Sequence, residues 1–286
     1  MKAAIIDCGT NTFHLLLADY DTYGEFNIVH KEMKDVKLGK KTIIKNEISP
    51  ESMQRGINAF QQLLSSAKSF NPEKILATAT SAVRSSSNGQ VFVDEVFKLT
   101  GVKINVIDGD REASLIFKGV KLAAKSISKP VLIMDIGGGS TEFIIAANDE
   151  VVFKHSFDLG VARLLQKIKP SDPIKNNEIA EIHRFFDREL GLLKEQITKY
   201  QEIDLIGCSG SFESIHSIIC KQFYNKSNNG DIVQINDADF NKVHELLKSA
   251  SLICTISPLL LLLYNWLHII ECIDSKEPEH PIKSIA

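Results

Sequence analysis

The stretch Asp135-Ile136-Gly137-Gly138-Gly139-Ser140-Thr141-Glu142 combines residue types that suit phosphate chemistry. Glycines permit positive φ and let backbone N–H groups approach an anion with no Cβ in the way. Ser140 and Thr141 add hydroxyl donors. Ionised Asp135 and Glu142 only accept hydrogen bonds, so neither binds phosphate directly. A hard cation between carboxylate and phosphate oxygens resolves that conflict, and Mg2+ usually binds through one or two carboxylates, waters and substrate phosphate. A tight hairpin whose glycines only satisfy turn geometry fits the same residues.

Three other segments end strands in similar chemistry. Gly207-Cys208-Ser209-Gly210-Ser211 precedes a predicted helix, with Ser211 as N-cap and the helix N–H groups as an anion site. Ala77 to Arg84 ends in small hydroxyl residues and an arginine, which either clamps phosphate in bidentate fashion or is a solvated surface group. Ile107-Asp108-Gly109-Asp110-Arg111-Glu112-Ala113 puts carboxylates at a strand-to-helix corner, where the helix dipole by itself favours an acidic residue. Phosphoryl transfer needs positioning more than proton abstraction, so a weak base such as Glu112 can still orient a water. Several strand-end turns of this kind suit a ligand with several phosphates. Neither the P-loop pattern nor the G-x-G-x-x-G fingerprint is present.

The elements that carry these turns alternate strand and helix, which predicts an α/β protein. Strands are expected at 3–7, 12–19, 26–32, 74–78, 103–107, 130–135, 141–147, 151–157, 203–207 and 232–235. Helices are expected at 50–70, 90–99, 112–127, 160–168, 176–200, 211–223 and 237–250. The helix from Pro50 shows Met53, Ile57, Phe60 and Leu64 on one face. An internal repeat organises the whole. Ile6-Asp7-Cys8-Gly9-Thr10 through Ala18 aligns with Met134-Asp135-Ile136-Gly137-Gly138 through Ala146 at a constant offset of 128. Each copy reads as strand, Asp-x-Gly turn, strand, so the chain is expected to hold duplicated domains, 1–126 and 127–286, joined at Ser126–Pro130.

The composition, 44% hydrophobic and 24% charged over 286 residues, fits a folded globular chain. A net charge of -3 gives no basis for a nucleic-acid binder. Five scattered cysteines, with no C-x-x-C and no zinc-like His spacing, point to reduced thiols in a cytoplasmic protein. Met1 to Asp7 has no cationic region leading into a long apolar stretch, so no secretory signal is expected. His14 falls on the repeat position of Glu142 and is read as a satisfied strand histidine, Cys8 as a small buried side chain, and Lys40, Lys41 and Lys45 as a solvated loop.

These motifs resemble the exopolyphosphatase / guanosine pentaphosphate phosphohydrolase (Ppx/GppA) family, in its short two-domain form. The matching pieces are Ala4 to His14, Val36 to Gly39, Ala77 to Arg84, Gly109 to Ile116, Asp135 to Glu142, Asp158-Leu159-Gly160 and Gly207 to Ser211. The resemblance implies two ribonuclease-H-like domains of the actin, Hsp70 and sugar-kinase superfamily with an interdomain cleft. It implies Glu112, Asp135 and Glu142 as catalytic, with Asp135 and Glu142 holding Mg2+ and no organic cofactor. It implies substrate contacts at Asn11, Arg84, Gly137, Gly138, Gly139, Ser140, Thr141, Gly207, Ser209 and Gly210. The implied substrate is inorganic polyphosphate, losing one terminal orthophosphate at a time, or guanosine pentaphosphate. A homodimer is expected by the same resemblance, and no nucleic-acid or membrane partner. Rival readings are an ATP-using phosphotransferase and a non-catalytic sensor of polyphosphate or guanosine tetra- and pentaphosphate. The chain departs from many members at Lys37, Arg111 and Ser114, which stand at arginine, acidic and arginine positions respectively.

Beyond about residue 251 the resemblance fails. Leu252–Ile270 carries no charged residue and is long enough to raise the question of a membrane span. Pro258, Asn265 and His268 favour instead a buried closing helix from Leu259 to Ile270, followed by a polar tail at Asp274–Pro281. Divergence, or an altered reading frame near residue 250, would each produce such an end.

Overall fold

The structure is a computed structural model and describes residues 1–23, 25–40, 46–171, 174–224, 232–249 and 282–285. The chain divides into two units, Met1–Gly109 and Asp110–Ala286.

In the first unit, β1 (Lys2–Cys8), β2 (Thr12–Tyr20), β3 (Phe26–Asp35), β4 (Lys74–Ala79) and β5 (Ile104–Val106) form a sheet in the order β3-β2-β1-β4-β5. Period-two alternation puts Ala4, Ile6 and Cys8 of β1 and Phe13, Leu15 and Leu17 of β2 on a buried face. That face packs on Phe60, Leu63 and Leu64 of α1 (Pro50–Ser69) and on Phe92 of α3 (Gly89–Thr100). Helix α1 starts where the sequence signals it. Ser49 accepts from the Ser52 N–H at 3.2 Å, and Pro50 opens the first turn. A short helix α2 (Ser81–Arg84) follows β4 and had no sequence signal of its own.

The second unit contains α4 (Gly109–Ala124), β6 (Val131–Ile136), β7 (Thr141–Ala147), β8 (Glu150–Phe157), α5 (Val161–Ile168), α6 (Asn176–Glu189) and α7 (Gly191–Ile197). These are followed by β9 (Asp204–Cys208), α8 (Ser209–Ile219), β10 (Ile232–Ile235), α9 (Asp237–Ser249) and β11 (Ile282–Ile285). Its sheet runs β10-β11-β9-β6-β7-β8. Read from β8, the order repeats the first sheet, with β6, β7, β8, β9 and β11 in the places of β1, β2, β3, β4 and β5. The repeat seen in the sequence is therefore a repeat of topology, and the α/β expectation holds.

Both faces of this second sheet are covered. Leu132, Met134, Phe143 and Ile145 pack under α5 to α8, while Ile133, Ile144, Ala146 and Ile206 pack under Ala113 and Val120 of α4. That packing explains why α4 groups with the second unit. The division falls between Gly109 and Asp110, earlier than the 126/127 boundary expected from the sequence.

Four local expectations change. The single helix over 176–200 is two, parted at Leu190, where Gly191 begins the next helix and the buried Leu190 side chain anchors the break. Helix α8 begins at Ser209, so Ser211 is not its N-cap. Its hydroxyl donates to the Ile136 carbonyl at 3.2 Å instead. Strand β11 is not among the strands expected from the sequence, whose reading ends on a polar tail; it pairs parallel to β9 and antiparallel to β10. Neither Gly9 nor Gly137 has positive φ; Gly9 is required for space instead, and Gly137 sits where a side chain would be tight. A Cβ on Gly9 would lie 2.8 Å from the Thr12 carbonyl oxygen, and one on Gly137 would lie 3.0 Å from that of Ser140.

Among the described residues, no helix is long and apolar enough to cross a membrane. Leu252–Ile270, its closing helix, the polar tail, Lys41 and Lys45 lie outside the described residues.

Candidate active site

The two repeat turns are built alike. The Gly9 N–H donates to the Thr12 carbonyl at 3.1 Å, and the Gly137 N–H donates to the Ser140 carbonyl at 3.0 Å. Asp7 faces His14 across β1–β2, and Asp135 faces Glu142 across β6–β7. Burial raises the Asp7 carboxyl, and the Thr78 hydroxyl donates to it at 3.2 Å. His14 is exposed and pairs with Thr12 Oγ1 at 2.8 Å, while Cys8 is fully buried, both as read from the sequence.

The glycine turn of the second unit is held from one side. The Gly137 carbonyl accepts from the Val161 N–H at 3.0 Å, and the Gly138 carbonyl accepts from the Ala162 N–H at 2.8 Å. The Gly139 carbonyl accepts from Arg163 Nε at 3.0 Å, and Arg163 is paired with Asp158 at 3.1 Å. The start of α5 is thus satisfied by turn carbonyls. The N–H groups of Gly138 and Gly139 find no acceptor among the described residues. Gly160 makes this approach feasible, since a Cβ there would lie 2.3–2.4 Å from the backbone of Gly138 and Gly139. The turn's hydroxyls serve other ends. Thr141 is fully buried and donates to the Leu159 carbonyl at 3.2 Å, and Ser140 hydrogen-bonds Glu142. What this turn has left to offer an anion is therefore backbone N–H groups rather than side chains.

Glu112, Asp135 and Glu142, far apart in sequence, come together. Glu142 is only 2% exposed. Burial, and then the charges of Glu112 and Asp135, push its carboxyl from 4.5 up to about 8, against the opposing hydrogen bonds of Ser156 and Ser140. The Ser156 hydroxyl donates to Glu142 Oε1 at 2.6 Å. Glu112 lies in the first turn of α4, which packs over the face of the sheet that carries Asp135 and Glu142. Among the described residues, no three His, Cys, Asp or Glu side chains form a ready-made metal cage. The donor set nonetheless fits Mg2+, which takes hard oxygens, commonly uses only one or two carboxylates, and would relieve this crowding of like charge.

A second turn adjoins the first, because Cys208 of β9 pairs in register with Asp135. Burial and the Asp135 charge raise the Cys208 thiol well above its usual range. Gly207 has no room for a side chain, since a Cβ would meet the Phe212 ring at 2.1–2.4 Å. Ser209 has φ of 69°, and its buried hydroxyl has no hydrogen-bond partner among the described residues. Both the positive φ of a residue with a Cβ and a buried hydroxyl without a partner are costly to the fold. Gly210 is exposed.

In the first unit, the Asn11 carbonyl accepts from the Val36 and Lys37 N–H groups at 2.8 and 2.7 Å. Arg84 Nη1 donates to the Ile107 carbonyl at 2.8 Å, so this arginine is partly engaged in holding the end of β5. Arg163 and Ser156 were missed by sequence reasoning. Ser156 had a usable signal, since it aligns with Glu142 once β7 and β8 are paired as a hairpin.

The Ppx/GppA phosphatase family profile matches residues 18–251. The chain belongs to that family. It is 32% identical over 197 residues to Exopolyphosphatase 2 of Mycobacterium tuberculosis, covering 66% of this chain and 61% of the relative. It is 31% identical over 223 residues to a guanosine-5'-triphosphate,3'-diphosphate pyrophosphatase of Pseudoalteromonas translucida, covering 77% of this chain and 44% of the relative. The chain thus spans less than two thirds of the length of these curated relatives. Among solved structures, an exopolyphosphatase from Cytophaga hutchinsonii superposes with a TM-score of 0.94 at 30% identity, over 100% of this chain and 94% of that one. An Aquifex aeolicus member of the Ppx/GppA family shares the fold, with a TM-score of 0.79 at 19% identity over 100% of this chain and 93% of that one.

Proposed function

We propose that this chain is a Mg2+-dependent exopolyphosphatase that releases terminal orthophosphate from inorganic polyphosphate, acting in the cytoplasm as a homodimer. The observation that carries the reading is the gathering of Glu112, Asp135 and Glu142 beside a turn whose carbonyls are committed to α5 and whose Gly138 and Gly139 N–H groups are left to bind an anion.

In this reading those N–H groups hold oxygens of the terminal phosphate, and the Ser209 hydroxyl finds its partner on the same ligand. In the first unit, Asn11 and Arg84 are the proposed phosphate contacts. Glu112 orients a water and accepts its proton as the water oxygen bonds to the terminal phosphorus. The anhydride P–O bond breaks, and its electron pair leaves with the shortened chain. Asp135 and Glu142 are the residues that would hold Mg2+, which when bound supplies positive charge to the phosphate oxygens.

A second reading, hydrolysis of the 5' phosphate of guanosine pentaphosphate, is favoured by the similarity to the Pseudoalteromonas translucida protein over 77% of this chain. Phosphate release from long-chain polyphosphate with Mg2+, with and without ADP, tests the proposal. Release without ADP supports hydrolysis. ATP formed only with ADP identifies a phosphotransferase, and binding without either product identifies a sensor. Guanosine pentaphosphate in place of polyphosphate separates the two hydrolytic readings.

A further inference from the structure

Strand β8 places Lys154 and Ser156, two residues apart, on one face. They pair in register with Ile144 and Glu142 of β7. Ile144 packs under α4, so this face of β8 looks toward the helix that bears Glu112. Ser156 holds Glu142. Lys154 holds the first turn of α4. Its ammonium donates to the Ser114 hydroxyl at 2.8 Å and to the Asp110 carbonyl at 3.1 Å, and lies 3.8 Å from the Asp110 carboxylate. The Ser114 hydroxyl in turn donates to the same Asp110 carbonyl at 2.7 Å. Glu112 lies between those two residues in the sequence of the turn.

We infer that Lys154 is a positioning residue for Glu112, and that β8 acts as a bracket setting the place of Glu112 relative to Glu142. This inference rests on the role proposed for Glu112 above. The first turn of a helix has no intrahelical acceptors for its N–H groups and frays most easily, so an external tie there matters more than one in the middle. An ammonium with three donors can fix a carbonyl and a hydroxyl at once. A strand advances about 3.3 Å per residue, so the two anchor points on β8 stand at a fixed separation of about 7 Å. A base that must orient water loses rate steeply when displaced by about 1 Å. Removing the ammonium is therefore expected to lower turnover while leaving phosphate binding by the glycine turn intact.

The test is steady-state phosphate release by Lys154→Met, Lys154→Arg, Ser114→Ala and the Lys154→Met/Ser114→Ala pair, with Lys121→Met as control. Lys121 ties the far end of the same helix to the Asp149 carbonyl at 3.2 Å. Lys154→Met is expected to lower kcat about tenfold with KM little changed, and Lys154→Arg to recover much of it. The double variant is expected to lose no more than Lys154→Met alone, and the control to match wild type. Amide exchange at Ser114 and Leu115 is expected to quicken in Lys154→Met with no change in melting temperature.

Unchanged kcat in Lys154→Met, an equal loss in the Lys121 control, or unchanged exchange overturns the inference. Glu112→Gln measured alongside separates the two claims. If Glu112→Gln is inactive and Lys154→Met is normal, only the bracket fails. If Glu112→Gln turns over normally, the catalytic role fails first, and the exchange data still decide whether Lys154 fixes the turn.

Discussion

Glu142 faces Asp135 directly across the β6–β7 ladder, and burial, then the charges of Glu112 and Asp135, push the Glu142 carboxyl up to about 8. A group raised in the folded state stays protonated there after it has ionised in the unfolded chain. Its contribution is fully present below the unfolded value and is lost as pH rises through the folded one.

In metal-free buffer, this residue should therefore erode stability between the ordinary value of 4.5 and about 8. The loss is at most about 1.4 kcal/mol per pH unit. Glu142→Gln does not ionise and should show a flatter profile, gaining on wild type as pH rises. Thermal unfolding of both proteins from pH 5 to pH 8 checks this, and parallel profiles would remove Glu142 as the source.

Mg2+ should reverse the effect. At pH 8, millimolar Mg2+ is expected to raise the melting temperature of wild type by a few degrees, as any ligand of the native state does. Asp135→Asn should respond much less. An equal shift in the variant would place the ion elsewhere.

Gly160→Ala tests the clamp on the glycine turn. The new methyl would fall 2.3–2.4 Å from the backbone of Gly138 and Gly139, where no flexible side chain can yield. The expected loss is about 1–3 kcal/mol of stability, with weaker polyphosphate binding because the two N–H groups are displaced. Unfolding and binding isotherms together read it, and a variant normal in both would show that the turn tolerates displacement.

Ser209→Gly should move stability and binding in opposite directions. Ser209 holds φ of 69° with a buried hydroxyl that has no described partner. Left-handed geometry costs about 1–2 kcal/mol for residues with a Cβ, partly offset by glycine's greater freedom when unfolded. A rise of about 2 °C in melting temperature is expected, with reduced affinity for polyphosphate. Lower stability in Ser209→Gly would show that the hydroxyl serves the fold.

Much of this was legible in the residues themselves. The Asp-x-Gly repeat at offset 128 revealed both β-hairpins and their pairing, because period-two apolar runs flanking a small turn have few other solutions. Glu112, Asp135 and Glu142 were named from their motifs, and the structure brings them together. What could not be read is what the hydroxyls touch. Thr141 and Ser140 look like phosphate donors in sequence, yet one bonds Leu159 and the other Glu142. The Leu159 carbonyl comes from the connection after β8 and Glu142 from two residues on in β7, and only the folded sheet decides between ligand and neighbour. Helix α4 was assigned to the first domain for the same reason. Its apolar stripe is visible in sequence, but the sheet it covers is not.

In the proposed reaction Glu112 performs the chemistry while the glycine turn performs the binding. Glu112→Gln keeps size and hydrogen-bonding capacity but cannot accept the water's proton. Phosphate release from long-chain polyphosphate, measured with binding of the same polymer, tests it most directly. Release is expected to fall by at least about a hundredfold, within the range general-base catalysis supplies, with affinity within about threefold of wild type. Turnover at the wild-type rate in Glu112→Gln would contradict it.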